Sequence, residues 1–157
     1  MEYKKLWLGF LVVMVGSFSV LGYFGAEIYR KAPPIPTQVV TTEGKVLFTG
    51  QDIRDGQNVW QSIGGQELGT VWGHGAYVAP DWSADWLHRE AVYMISKWAQ
   101  QEFNLAFDAL NIEQQAALKA RLQEQLRKNT YNTSDGTLTV SPARAQAIAA
   151  NSQYYTG

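Results

Sequence analysis

Residues 55–81 read DGQNVWQSIGGQELGTVWGHGAYVAPD, and the interpretation of the whole chain depends on this stretch. It combines glycines with aromatic side chains, and Trp60 and Trp72 within it begin a series of five tryptophans that ends at Trp98. A buried tryptophan removes a large area from water, so we expect this tryptophan-rich segment to form the core of a folded domain. Its glycine-rich half, Gln66–Pro80, is predicted to be an ordered loop packed on that core.

The same stretch lacks the residues that hold a covalent haem. Such a haem requires the motif Cys-x-x-Cys-His, in which two thiols bind the vinyl groups and the imidazole binds the iron. The chain has 0 cysteines, and the position where the motif would fall reads Gln61-Ser-Ile-Gly-Gly-Gln66. The lack of cysteine also excludes disulfides, thiolate metal sites and thiol nucleophiles. We therefore expect any chemistry to lie outside this stretch.

Leu6–Ala26 contains 21 residues without a charge and is predicted to cross a membrane. A helix of about 20 apolar residues spans the hydrocarbon layer of a bilayer, and Trp7 and Tyr23 suit the two interfaces. A cleaved signal peptide would have an apolar region of about 7–15 residues and a small-residue cleavage site, which fits this segment less well. The sequence predicts an uncleaved anchor helix over residues 1–31 and a soluble domain over residues 32–157.

The soluble domain is predicted to be mainly helical, with short β-hairpins. The net charge of −1 and a pI near 6.1 provide no basic surface for nucleic acid. Turn and capping residues delimit the elements. They are a hairpin of Thr37–Val40 and Lys45–Phe48 around Glu43-Gly44, a helix capped by Thr49 or Asp52 and ending near Ile63, a helix capped by Ser83, a helix from Asn111 with Gln114 as its capping partner, a hairpin over Thr130–Val140 around Asp135-Gly136, and a helix from Ser141-Pro142 to about Asn151.

Two of these helices carry faces that we expect to pack inward. Side chains four residues apart lie on the same side of a helix, so apolar residues at that spacing indicate a buried stripe. The two stripes are Trp86, Glu90, Met94 and Trp98 on one helix and Leu118, Leu122 and Leu126 on the next.

Few residues qualify as candidates for chemistry. His74 lies between two glycines that leave its ring accessible, so it could act as a ligand or proton donor, but a surface or loop-packing histidine is the preferred explanation. His88 is expected to make an ordinary helix contact with Asp85. Asp81, Asp85 and Glu90 could form an acid–base pair, although helix capping explains them more simply. We assign no catalytic, cofactor-binding or metal-binding residue.

Two segments resemble known families. Asp55-Gly-x-x-Val-Trp60 resembles the helix before the haem motif of c-type cytochromes, and Gly73-His-Gly-Ala-Tyr-Val-Ala-Pro-Asp81 resembles a loop in the haem-c subunit of cytochrome-dependent nitric oxide reductase. The loop continues with Trp82 and Asp85–Ala91, and no haem motif precedes it. This longer pattern resembles the amino-terminal region of quinol-dependent nitric oxide reductases. In these single-chain enzymes a haem-less cytochrome-like domain precedes the catalytic membrane bundle. The likeness covers essentially the whole chain and is sharpest over Gly56–Ala91.

The resemblance implies a mainly α fold: one amino-terminal transmembrane helix followed by a cytochrome c-like helical domain with short β-hairpins and no haem c. It also implies that the whole enzyme reduces two NO to N2O with electrons from quinol. The haem b, high-spin haem b and non-haem iron that do so are held in the family on later membrane helices. This sequence does not contain those helices, so the chain is expected to be the non-catalytic amino-terminal part, without a cofactor of its own.

The same resemblance implies a location and partners. We expect the bacterial inner membrane, with the soluble domain on the periplasmic side, and as partners membrane lipid, the catalytic bundle, quinol as donor to the whole enzyme and, as an open alternative, a second copy of the chain. Trp72 and Tyr77 are the candidates for filling the volume of the missing haem. Two alternatives stay open: a free-standing membrane-anchored periplasmic interaction or assembly module without activity, and an electron carrier that binds haem through His74.

Overall fold

A computed structural model of the chain describes residues 2–71 and 79–156. The chain divides into two compact units, Met1–Pro34 and Ile35–Gly157. The first unit is a single helix, α1 (Glu2–Lys31). With a mean hydropathy of 1.9 in its most apolar part, α1 is long and apolar enough to cross a membrane.

The second unit contains a four-stranded sheet with short strands. Its members are β1 (Gln38–Thr41), β2 (Val46–Thr49), β3 (Tyr131–Asn132) and β4 (Thr137–Val140), in the order β2-β1-β4-β3. β1 and β2 are antiparallel, as are β3 and β4, so both predicted hairpins are confirmed. The sequence did not predict that the two hairpins join through parallel pairing of β1 with β4, because alternation of side chains does not say which distant strand is the neighbour.

Glycines at the hairpin turns allow the backbone conformation that these turns need. Gly44 has a φ of 83° and Gly136 a φ of 72°, in the left-handed region that favours glycine. The second turn also lies close to the start of β1, since the Thr37 N–H donates to the Gly136 carbonyl at 2.8 Å. The two hairpins are therefore joined at this end as well as along the strands.

Five α-helices complete the described part of the second unit, together with a short 3-10 turn at Phe107–Ala109. The capping pair predicted for Asn111 and Gln114 is present. Of the two alternative caps predicted for the first of these helices, Thr49 is the N-cap, and Asp52 forms a capping pair with it that was not predicted from the sequence. The helices are α2 (Gly50–Ser62), α3 (Gly65–Leu68), α4 (Trp82–Phe103), α5 (Ile112–Arg127) and α6 (Pro142–Thr156).

The predicted cap of α4 is wrong. Asp81, and not Ser83, is the N-cap, and its Oδ1 accepts hydrogen bonds from the backbone N–H groups of Ser83 at 3.1 Å and Ala84 at 3.2 Å. A carboxylate at this position satisfies two free donors of the first turn and also suits the positive end of the helix. The Ser83 hydroxyl donates instead to the Val71 carbonyl.

Helix α6 is longer than predicted. It continues past Asn151 to Thr156, because no glycine or proline interrupts that stretch and because its last turns have contacts with α4. The Asn151 side chain is buried and its Nδ2 donates to the Trp86 carbonyl at 3.0 Å. The extra turn carries Tyr154 and Tyr155 to the beginning of α4.

The main core lies between α4, α5 and α6, and it includes Met94 and Trp98 of the first predicted stripe and Leu118 of the second. Leu122 and Leu126 pack against it while remaining partly exposed. Trp86 is not a member, and of the tryptophans that the structure describes Trp98 alone belongs to this core, so the expectation that the tryptophan-rich segment forms the core is wrong for Trp60, Trp82 and Trp86. The buried members are Met94, Ile95, Trp98, Ala99, Leu110, Leu118 and Ala147.

A buried ion pair also joins α4 to α6. Glu90 is 1% exposed, and its Oε1 accepts a hydrogen bond from Arg144 Nε at 2.5 Å. A carboxylate removed from water is stable only when it is paired. Arg144 is therefore what permits an acidic residue in the inward stripe of α4.

Replacing Glu90 with alanine tests this pair. Glu90→Ala leaves Arg144 without its carboxylate, and we expect the free energy of unfolding to fall by about 3 kcal/mol. Denaturant unfolding of the full chain in detergent, followed by near-ultraviolet circular dichroism, measures the change. The matched control is Glu124→Ala, at an exposed position on α5, which should stay within about 0.5 kcal/mol of the unsubstituted protein. Equal effects of the two substitutions would contradict this role of Glu90.

Candidate functional site

The segment where a haem-attachment motif would lie forms the junction of α2 and α3. α2 ends at Ser62, Gly64 adopts a left-handed conformation with a φ of 70°, and α3 begins at Gly65. The junction is compact, since the Gly64 N–H donates to the Gln61 carbonyl at 3.3 Å. This turn brings Gly65 beside the last turn of α2.

The backbone of Gly65 lies directly against the indole ring of Trp60. A Cβ atom at position 65 would be 2.7 Å from Trp60 Cε3, and closer still to two other ring atoms. Such distances are well inside van der Waals contact, so only glycine fits without moving the ring. The Trp60 ring therefore packs on the backbone of Gly65, within the segment where a haem-attachment motif would fall.

Trp60 is the first member of a group of four rings that we call the aromatic cluster: Trp60, Trp82, Trp86 and Tyr155. The ring centroids are 6.3 Å apart for Trp60 and Trp82, and 6.4 Å for Trp82 and Tyr155, both in edge-to-face geometry. Tyr155 stacks on Trp86 at 5.7 Å with an interplanar angle of 9°. Aromatic pairs at these separations attract beyond their burial alone. The cluster thus links α2, α4 and α6.

The described ends of the glycine-rich loop are held together next to the cluster. The Thr70 N–H donates to the Pro80 carbonyl, and the Trp82 N–H donates to the Thr70 carbonyl, both at 2.9 Å. Gly69 is packed so closely that a Cβ there would lie 2.7 Å from the Pro80 oxygen. The loop therefore leaves and rejoins the fold at one point, beside Trp82.

Three residues singled out in the sequence, Trp72, His74 and Tyr77, lie outside the described residues. The prediction that Trp72 and Tyr77 fill a haem volume, and the two interpretations of His74, accordingly stay predictions. Among the described residues, Trp60 and Trp82 are the tryptophans that pack at this junction, Trp60 against Gly65 and Trp82 against Trp60. Nothing in their sequence spacing distinguished them from ordinary core tryptophans.

The aromatic cluster has a charged edge formed by α4 and α6. Asp85 accepts hydrogen bonds from Arg89 Nε at 2.8 Å and from the Tyr155 hydroxyl. Arg89 Nη2 donates to the Tyr154 hydroxyl at 3.0 Å, and the guanidinium carbon lies 3.7 Å from the centre of the Tyr154 ring. These contacts attach the last turn of α6 to the first turns of α4.

The hydrogen bonds at this edge change the pKa values of its members. The Arg89 hydrogen bond, and after it the Tyr155 hydroxyl, hold the pKa of Asp85 below its usual range. Burial first, and the bond to Asp85 second, raise the pKa of Tyr155. At neutral pH the edge therefore contains an ionised carboxylate that accepts a hydrogen bond from a protonated phenol.

The acidic residues considered for acid–base chemistry have separate structural roles. Asp81 caps α4, as the capping explanation predicts, whereas Asp85 pairs with Arg89 and Glu90 with Arg144. Capping is thus the wrong explanation for Asp85 and Glu90. Asp85 accepts a hydrogen bond from Arg89. The expected electrostatic contact of His88 with Asp85 is present as a contribution to the lowered pKa of Asp85 that is weaker than that of the Arg89 hydrogen bond. His88 also lines an open groove of about 450 Å³ between α4 and α6. Within residues 2–71 and 79–156, no three acidic or histidine side chains are grouped to hold a metal.

A covalent haem does not fit the junction of α2 and α3. The chain offers 0 cysteines for its vinyl groups, and the Trp60 ring occupies the space against Gly65 where thioether-bearing residues would stand. The arrangement is one of packing, and it has no cysteine that could attach a haem at this position.

The sequence did not predict that the last turn of α6 contributes two tyrosines to this site. Asp85 and Arg89 have the i, i+4 spacing of a helical ion pair. Their contact could therefore have been predicted from sequence. The contacts of Tyr154 and Tyr155 could not, because α6 was expected to end near Asn151, before either of them.

One protein family matches this chain. Its model describes the cytochrome c-like domain of NorB, a subunit of nitric oxide reductase, and matches residues 36–157. That range is more than half of the chain and includes every strand and helix described in the second unit. No curated protein matches this chain.

Two glycine substitutions test the contact between Gly65 and Trp60. Gly65→Ala should destabilise the protein by about 1–3 kcal/mol, because the added methyl group displaces the ring, and should shift the tryptophan fluorescence. Gly56→Ala on the exposed side of α2 is the control, since nothing lies within 4 Å of a Cβ there. It should stabilise the helix by about 0.5–1 kcal/mol. If Gly65→Ala were as well tolerated as Gly56→Ala, the Trp60 ring would not lie where we describe it.

The pH dependence of stability tests the charged edge. Asp85 has its pKa lowered from 3.8 in the folded protein, so its contribution is present above the unfolded pKa and is lost as pH falls through the folded pKa. We expect the stability difference between the unsubstituted protein and Asp85→Asn to be largest near neutral pH and to shrink in acid. Denaturant titrations at a series of pH values measure it, and other carboxylates cancel in the comparison. A difference that stays constant, or grows in acid, would exclude this contribution.

Proposed function

Since the chain belongs to the family of the NorB cytochrome c-like domain of nitric oxide reductase, we propose that it is the amino-terminal, non-catalytic part of a quinol-dependent nitric oxide reductase. In this proposal the whole enzyme converts two NO, two electrons and two protons into N2O and water, and a quinol supplies the electrons. The chemistry takes place on haem b, high-spin haem b and non-haem iron in a catalytic membrane bundle, and this segment holds none of them.

The observation that carries the proposal is the packing of Trp60 on Gly65. A cytochrome domain passes electrons through its haem, but here the attachment segment has no thiol and lies under an indole ring. A soluble electron donor would therefore find no haem c in this domain to reduce. Quinol, which is dissolved in the bilayer, can deliver electrons to the membrane bundle without such a relay, so a haem-less domain suits a quinol-dependent enzyme.

A structural role remains for the domain in this proposal. Helix α1 anchors it to the inner membrane, and the second unit lies on the periplasmic side, where it packs against the catalytic bundle. Val59, Ile63 and Leu68, on α2 and α3 and at their junction, are apolar and exposed, which supports a covered surface at this corner of the domain. Exposed apolar side chains that cluster in this way are typical of contact surfaces.

Purification of the native protein tests the proposal. An antibody against the second unit should recover from the source membranes a polypeptide several times heavier than 17.6 kDa. It should show b-type but no c-type haem absorbance, and should reduce NO with a quinol but not with a reduced soluble cytochrome c. Intact mass, optical spectra and NO consumption with each donor are the measurements.

The alternatives give different results in the same experiment. A native mass of 17.6 kDa with no NO consumption would favour a free-standing periplasmic module. A c-type spectrum, or turnover with a soluble cytochrome as the donor, would contradict quinol dependence. A Soret band from the isolated chain that disappears in His74→Ala would instead support the haem-binding carrier.

A further inference from the structure

The phenol of Tyr155 has a carboxylate partner that can receive its proton. The Tyr155 hydroxyl donates a hydrogen bond to Asp85, and Arg89 holds that carboxylate in place from the other side at 2.8 Å. Loss of an electron makes a phenol strongly acidic, so a tyrosine is oxidised most easily when a base already accepts its hydrogen bond. Tyr155 is 39% exposed, so small oxidants in solution can reach it.

The aromatic cluster gives Tyr155 two electron-rich neighbours, Trp86 and Trp82, and a third indole, Trp60, beyond Trp82. The Tyr155 ring stacks on Trp86 at 5.7 Å and meets Trp82 at 6.4 Å, and Trp82 in turn meets Trp60 at 6.3 Å. Rings at such separations exchange electrons readily. A tyrosine that can release its proton is a better electron donor than a tryptophan, so an oxidation that begins on any of the three indoles will end on Tyr155.

We propose that Tyr155 is a site of one-electron oxidation and nitration in this domain, with Asp85 as the proton acceptor and oxidants of the nitrogen dioxide class as the reactants. In the first step nitrogen dioxide takes one electron from Tyr155 and becomes nitrite, while the phenolic proton passes to Asp85. The resulting phenoxyl radical combines with a second nitrogen dioxide, which forms a carbon–nitrogen bond next to the phenolic carbon. The hydrogen on that ring carbon then leaves as a proton, the phenolic oxygen takes back the proton held by Asp85, and the products are 3-nitrotyrosine, one nitrite ion and one proton.

This inference goes beyond the proposed function and does not require the catalytic bundle, because it involves only residues of α4 and α6. Protonation states at the edge support it. The pKa of Tyr155 is raised, first by burial and then by Asp85, so the neutral phenol is the species oxidised; the pKa of Asp85 is lowered by its hydrogen bond from Arg89, so Asp85 is ionised when it accepts the phenolic hydrogen bond.

Tyr154 is a built-in control for this proposal. It is more exposed than Tyr155, at 58% against 39%, so an oxidant that attacked by accessibility alone would prefer it. However, a cation and not a carboxylate is its partner: Arg89 donates to its hydroxyl at 3.0 Å and lies over its ring at 3.7 Å. A positive charge at that distance opposes the removal of an electron and provides no acceptor for the proton.

Nitration of the full chain in detergent micelles tests the proposal. Pulse radiolysis of a nitrate solution generates nitrogen dioxide in small known doses, and peptide mass spectrometry then measures 3-nitrotyrosine at each tyrosine. We expect Tyr155 to be nitrated several-fold more than Tyr154. In Asp85→Asn, which keeps the shape but not the base, nitration of Tyr155 should fall by about tenfold, a factor within the range of a hydrogen bond to a charged group.

A second variant distinguishes loss of the Asp85 carboxylate from a general disturbance of the contacts between α4 and α6. Arg89→Gln removes the cation beside Asp85 and leaves the carboxylate, so nitration of Tyr155 should be maintained or increased and that of Tyr154 should rise. The unsubstituted protein alone can overturn the proposal. If Tyr154 is nitrated more than Tyr155 in that protein, the proposal is wrong, whether or not the variants fold. Unchanged nitration of Tyr155 in folded Asp85→Asn, or an equal loss in both variants, would overturn it as well.

Discussion

The contact of the Trp60 ring with the Gly65 backbone is the constraint on which the arrangement of this domain depends. It requires a glycine at position 65 and a left-handed turn at Gly64, and so it fixes the angle between α2 and α3. The ring packs on a residue of the segment in which a haem-attachment motif would fall, and that segment has no cysteine. A domain built in this way keeps its shape without a cofactor at that position.

The remaining contacts extend from this point toward α6. Trp82 joins Trp60 to Tyr155, and Tyr155 joins the cluster to the carboxylate of Asp85. Deeper between the same two helices, the buried pair of Glu90 with Arg144 links them again. Aromatic contacts are weakly directional, whereas a buried charge tolerates only one partner. The charged contacts therefore favour one alignment of α6 on α4, and the aromatic cluster packs beside them.

The local features of the fold could be predicted from sequence, and the long-range ones could not. Both hairpin turns, the capping pairs of α2 and α5 and the inward stripe of α4 each depend on residues a few positions apart. The parallel pairing of β1 with β4, the Glu90–Arg144 pair and the contact of Tyr155 with Asp85 join residues far apart in the chain, and no periodicity encodes them. Glu90 illustrates the difference. Its position on the inward face could be predicted from sequence, but its partner Arg144, 54 residues away, could not.

A cryo-electron microscopy map of the native membrane protein tests the central claim most directly. We expect density for the Trp60 indole against the Gly65 backbone, with the rings of Trp82 and Tyr155 beside it. We also expect a catalytic membrane bundle in the same polypeptide. Porphyrin density at the junction of α2 and α3, with the Trp60 ring turned away from Gly65, would contradict the central claim.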